Sequence, residues 1–70
     1  MKYFISEENN PWVATKAKSL KGAKIAAKKN QAYQGTKLHI SVQQEGGQYV
    51  PISDWRGGQW LDTPQSEYYR

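Results

Sequence analysis

Apolar positions along this chain change their spacing several times, and each change marks an element. Tyr3-Phe4-Ile5 is a short apolar run closed by Ser6, which predicts a strand over 3–6. Glu7-Glu8-Asn9-Asn10-Pro11 is turn material, because Asn tolerates left-handed backbone and Pro fixes φ. Trp12-Val13-Ala14-Thr15 is aromatic and β-branched and predicts a second strand, so the two form an N-terminal hairpin. From residue 20 the spacing becomes helical. Ser19 is placed to cap a free first-turn amide, and the helix is expected over about 20–31. At about 100° per residue, Leu20, Ala23, Ala26 and Ala27 share one side. Lys21, Lys24 and Lys28 share the other, with Ile25, Lys29 and Gln31 beside them. The small buried residues let the helix lie close to a sheet. Gly35 suits a C-terminal stop.

Beyond the helix the period falls to two. Leu38, Ile40 and Val42 alternate with Lys37, His39, Ser41 and Gln43, which predicts a strand over 36–43 with one apolar face. Glu45-Gly46-Gly47 makes a turn into a strand over 48–53, where Pro51 implies an edge or a bulge. Trp55-Arg56-Gly57-Gly58 is expected to turn again into a short strand over 59–61. Residues 63–70 show no periodicity and are expected to form a flexible tail. The order is β-β-α-β-β-β. It predicts an α+β fold in which an antiparallel sheet of about five strands carries one helix across one face, as a single domain over 1–62.

Charge changes this picture most. The 70 residues carry a net charge of +4, but the seven lysines between Lys16 and Lys37 have no acid among them. The rest of the chain has three basic residues against six acids. So one-sided a pole suits a polyanion, or the acidic groove of a protein that handles one. On the helix no Glu or Asp stands three or four residues from a lysine to pair with it. Ile25 is apolar within that charged face, and a charged face with an apolar residue inside it has the make-up of a binding surface. Lys21, Lys24, Ile25, Lys28, Lys29 and Gln31 are therefore the candidate partner-binding residues.

Other chemistry is sparse. The chain has no cysteine, which excludes disulfides and thiolate metal sites, and no metal or cofactor is expected. His39 stands without a second ligand and is expected to be a surface polar residue. Asp54 and Asp62 are expected to form turns and caps. Neither Gly-Gly pair has the Lys-Ser or Lys-Thr of a phosphate loop. Trp12 and Trp60 are expected in the core, and Trp55, beside Arg56, is the tryptophan expected to be exposed. No apolar stretch approaches the roughly 20 residues that cross a membrane, and no leader pattern opens the sequence; a soluble, cytoplasmic, non-enzymatic module without a small-molecule substrate is expected.

One stretch carries a resemblance. Ser19-Leu20, Ala23-Lys24, Ala27, Lys29, Gln31 and Tyr33-Gln34-Gly35-Thr36, followed by Trp60 and Asp62, are spaced like a family of small phage proteins, the type I-F anti-CRISPR inhibitors conventionally given the number nine. The likeness covers 19–62, with small insertions at 44–47 and 55–57. It implies a five-stranded antiparallel sheet flanked by one helix. It further implies binding, in the host bacterial cytoplasm, to the backbone subunits of a crRNA-guided surveillance complex. There such proteins block hybridisation of target DNA to the guide, and the resulting complex can hold duplex DNA nonspecifically. Lys24, Lys29 and Gln31 align with the family's helix contacts. Ile25, Ser53 and Gln59 stand where the family has basic contact residues, and Lys28 and Arg56 are placed to compensate. The rival expectations are a small basic nucleic-acid-binding phage accessory protein and an inhibitor of another host defence protein.

Overall fold

Ten apolar residues are buried among those described, and all but one belong to a single cluster between the helix and the sheet. The computed structural model describes residues 2–69. Met1 and Arg70, the outer ends of the expected domain and tail, lie outside the described residues. In chain order the elements are β1 (Tyr3–Glu7), β2 (Val13–Ala14), α1 (Leu20–Lys29), β3 (Leu38–Gln43), β4 (Tyr49–Arg56), β5 (Gln59–Asp62) and a 3-10 helix (Pro64–Tyr68). The five strands form one antiparallel sheet in the order β2-β1-β3-β4-β5, so the expected α+β architecture is the observed one. No helix among the described residues is long and apolar enough to cross a membrane.

Strand register sets the two faces. Tyr3 and Ile5 stand opposite Val42 and Ile40, and Leu38 opposite Trp55, so these residues share the face that α1 covers. Leu20, Ala23 and Ala27 of α1 pack on them. Phe4, buried but outside that cluster, lies opposite Ser41 on the other face. Pro51 sits at a bulge as expected: the register with β3 shifts between Ile40 and Ser41, and Ile52 becomes a fully buried extra residue.

Ser19 caps α1, its Oγ accepting from the Gly22 amide at 3.1 Å. The helix ends at Lys29, earlier than its spacing suggests. The reason lies outside it: the Glu7 carboxylate accepts from the Ala32 and Tyr33 amides at 3.0 and 3.3 Å, which turns the chain away from the helix axis. Asn30 closes the last turn through its own side chain, donating to Ala26 O at 2.8 Å. Gly35 (φ +86°) then serves the following loop rather than the helix end.

Three further boundaries move. β2 keeps only two of its four expected residues. β4 runs through Trp55 and Arg56, because Gly57 and Gly58, both at positive φ, make the hairpin turn by themselves. The segment expected to form a flexible tail is instead a 3-10 helix with Ser66 buried; Thr63 donates to Ile52 O and Pro51 O, and Tyr69 packs against the core. Tyr69 O accepts from the Tyr3 hydroxyl at 2.5 Å. Burial, and then the neighbouring Tyr69, push the Tyr3 hydroxyl above its ordinary pKa.

Candidate functional site

α1 presents its lysines as two rows, because residues three and four apart lie on the same strip of a helix. Lys21, Ile25 and Lys29 form the outer row and are exposed, Ile25 at 61%. Lys24, Lys28 and Gln31 form the row next to β4 and β5, and two of these side chains lie down on the domain.

Lys24 Nζ is 2.9 Å from Asp62 Oδ1, and 5.7 Å from the centroid of the Trp60 ring. Asp62 Oδ1 also accepts from the Ser53 hydroxyl at 2.6 Å, so the carboxylate joins helix to sheet. Lys28 Nζ sits 4.0 Å over the centroid of the Trp55 ring and donates to Gln31 Oε1 at 3.3 Å. Gln31 Nε2 in turn donates to Thr36 Oγ1 at 3.1 Å. Trp55 and Trp60 are cross-strand partners and meet edge to face, with centroids 5.3 Å apart. The arrangement is a platform of two half-buried indoles with two ammonium groups held above it. Beside it, Lys28, Gln31, Trp55 and the Gly57-Gly58 turn line an open cleft of about 330 Å³.

Of the expected partner-binding residues, Lys21, Lys24, Ile25, Lys28, Lys29 and Gln31 are thus brought onto neighbouring strips of one helix and its end. Arg56 is not. It precedes the turn on the opposite face of the sheet, where its Nη2 lies 3.3 Å from Asp54 Oδ2. It stands directly across from Gln59, one of the positions where the resemblance implies a basic contact, and on the face away from Ser53.

Three other expectations change. Trp55 is half-buried and packed against the core cluster rather than displayed in a turn. Trp12 stays outside that cluster, half-buried and stacked on Tyr49. Asp54 and Asp62 are strand residues, and each anchors a network rather than a turn. His39 has the carboxylate partner that its isolation in sequence did not suggest, with Nδ1 2.8 Å from Asp54 Oδ1. Asp62 is the site residue hardest to find from sequence; the signal is its position two residues after Trp60, which puts both side chains on the α1 side of β5.

A second open cleft, of about 480 Å³, runs along the far flank of α1 between Ala26 and Ala27 and the Ile5–Val13 pair of the β1–β2 hairpin. Small alanines leave this space. Among the described residues no three His, Cys, Asp or Glu side chains gather into a metal site. Comparison of the chain with protein-family models, with curated proteins and with solved structures found no match.

Proposed function

We propose that this protein is an inhibitor that binds a type I CRISPR surveillance complex through its backbone subunits and blocks hybridisation of target DNA to the guide. The observation that carries the reading is the lysine-bearing helix fixed on the Trp55–Trp60 platform. Its positive charge is left almost uncompensated, since the one lysine–carboxylate ion pair among the described residues is Lys24–Asp62.

Guide-directed recognition needs a heteroduplex in a positively charged channel. A basic plug in such a channel gains nothing from bulk attraction. It needs local acids or guide phosphates, and lysine ammonium groups serve either. Lys24 and Lys28 are already ordered against Asp62 and Trp55, so less side-chain freedom is lost when they engage a partner. Ile25 supplies an apolar contact at the centre of the outer row.

The test is target-DNA binding by a purified type I complex with and without the protein. Inhibition is expected, with weakening on Lys21→Glu plus Lys29→Glu, a pair whose side chains form no ion pair with an acid among the described residues. Undiminished target binding at saturating protein removes the proposal. Direct binding of nucleic acid is the second reading, favoured by the same uncompensated lysines. It predicts a gel shift by the protein alone that falls steeply with salt.

A further inference from the structure

The sheet face turned away from α1 carries a different surface. Phe4, Trp12 and Tyr49 pack together there, Phe4 edge-on to Tyr49 at 5.1 Å and Trp12 stacked on Tyr49 at 5.7 Å. Register places Pro51 in the Phe4–Ser41 row and Leu61 in the His39–Asp54 row. Tyr49 and Leu61 remain 41% and 44% exposed. The result is an aromatic and aliphatic face that α1 does not cover.

We propose that this face joins two copies of the chain into a back-to-back dimer. Charge argues for a second copy. On this face Asp54, His39 and Arg56 neutralise one another within the chain, and both signs are present. An isologous contact needs such self-complementarity, because each patch meets its own copy. The α1 side cannot provide it, since its lysines would meet lysines. Composition agrees in its aromatics and arginine: interfaces are enriched in Tyr, Trp, Phe and Arg. The dimer leaves both α1 ridges facing outward, so it is compatible with the inhibitor reading and independent of it.

Sedimentation equilibrium on the full chain tests this without any target. The expected mass rises with concentration from 8.0 kDa toward twice that value. Leu61→Arg, at an exposed position on the edge strand, is expected to move the monomer–dimer midpoint at least about tenfold upward, as is usual for a charge placed in an interface core. Tyr49→Lys is expected to do the same. Because Tyr49 covers Phe4, its circular dichroism and melting curve are recorded alongside, and Leu61→Arg decides the matter if Tyr49→Lys unfolds. A monomer at all concentrations up to about 1 mM overturns the proposal, and is the result expected if the face takes a foreign protein instead. A dimer that Leu61→Arg leaves unchanged also overturns it.

Discussion

Replacing Asp62 with alanine removes the carboxylate that ties α1 to β4 and β5. Two losses follow. The first is the ion pair with Lys24, whose partners are 23% and 32% exposed; partly solvated pairs of this kind contribute up to about 1 kcal/mol. The second is larger. The Ser53 hydroxyl is fully buried and donates to Asp62 at 2.6 Å, so alanine strands a buried donor, at about 1–3 kcal/mol. The sum is about 1–4 kcal/mol, centred near 2.5 kcal/mol. For a domain of this size each kcal/mol moves the midpoint by roughly 4–8 °C, so Asp62→Ala is expected to melt about 10–20 °C below the parent. Asp62→Asn retains a carbonyl oxygen for Ser53 and loses only the ion pair, so it should lose no more than about 1 kcal/mol. Adding Ser53→Ala to Asp62→Ala removes the stranded hydroxyl and should recover part of the loss. Urea and thermal unfolding followed by far-UV circular dichroism measure all four proteins. Equal destabilisation by alanine and asparagine would refute the reasoning, because it would mean that the buried hydroxyl is not what Asp62 serves.

Two other outcomes follow from the same kind of geometry. Glu7 is held charged by the Thr36 hydroxyl at 2.6 Å and then by the Ala32 and Tyr33 amides, which set its pKa below the ordinary glutamate value. A carboxylate with a lowered folded pKa stabilises the fold above its unfolded value of about 4.3, and that stability is lost as pH falls toward the folded value. The melting temperature should therefore drop below about pH 4.3, and Glu7→Gln should flatten that part of the curve; parallel curves for the two proteins would contradict the assignment. For the proposed target complex, Lys21→Gln and Lys29→Gln should mainly slow association and weaken its salt dependence, because these lysines are free and exposed. Lys28→Met should mainly speed dissociation, because that ammonium is already ordered over Trp55; surface plasmon resonance at two salt concentrations separates the cases.

Much of the fold was legible because periodicity reports burial directly. Leu38, Ile40 and Val42 predicted their own strand and face, and Ser19 predicted the start of α1 to the residue. The misread boundaries share a cause: each is set by a partner distant in sequence. α1 stops at Lys29 because Glu7, from the first strand, takes the Ala32 and Tyr33 amides. Trp55-Arg56 looks like turn sequence beside Gly57-Gly58, yet pairing with Gln59 and Trp60 extends the strand to the glycines. Residues 63–69 lack periodicity because a single 3-10 turn with one buried serine and one docked tyrosine has none to show. The same limit holds at the candidate site. Spacing places the lysines on one side of a helix, but only the register of β4 and β5 brings Trp55, Trp60 and Asp62 beneath Lys24 and Lys28. Arg56 pairs with Gln59 but stands three residues on from Ser53, so it faces away from Ser53 and from α1, because in a sheet an odd step changes the face.

The disposition of the acids explains why the basic pole survives folding. Six acidic residues would suffice to cancel most of the seven central lysines, yet the fold commits three of them, Glu7, Glu8 and Asp54, to other partners. Glu7 and Glu8 bind backbone amides of the 31–37 loop, the latter accepting from Lys37 N at 2.6 Å. Asp54 serves His39 and Arg56 on the far face. Among the described residues Asp62 alone reaches a helix lysine. Each carboxylate on a backbone amide fixes the loop that ends α1 without placing a negative charge on the helix surface. Organisation of the loop and exposure of the charge thus come from the same contacts. A sequence selected only for solubility has no need to keep acids off one helix so completely, because mixed signs on an exposed face both solubilise the protein and stabilise the helix. On the proposed function, the self-repulsion retained along α1 is the standing cost of a surface kept ready for local acids or guide phosphates.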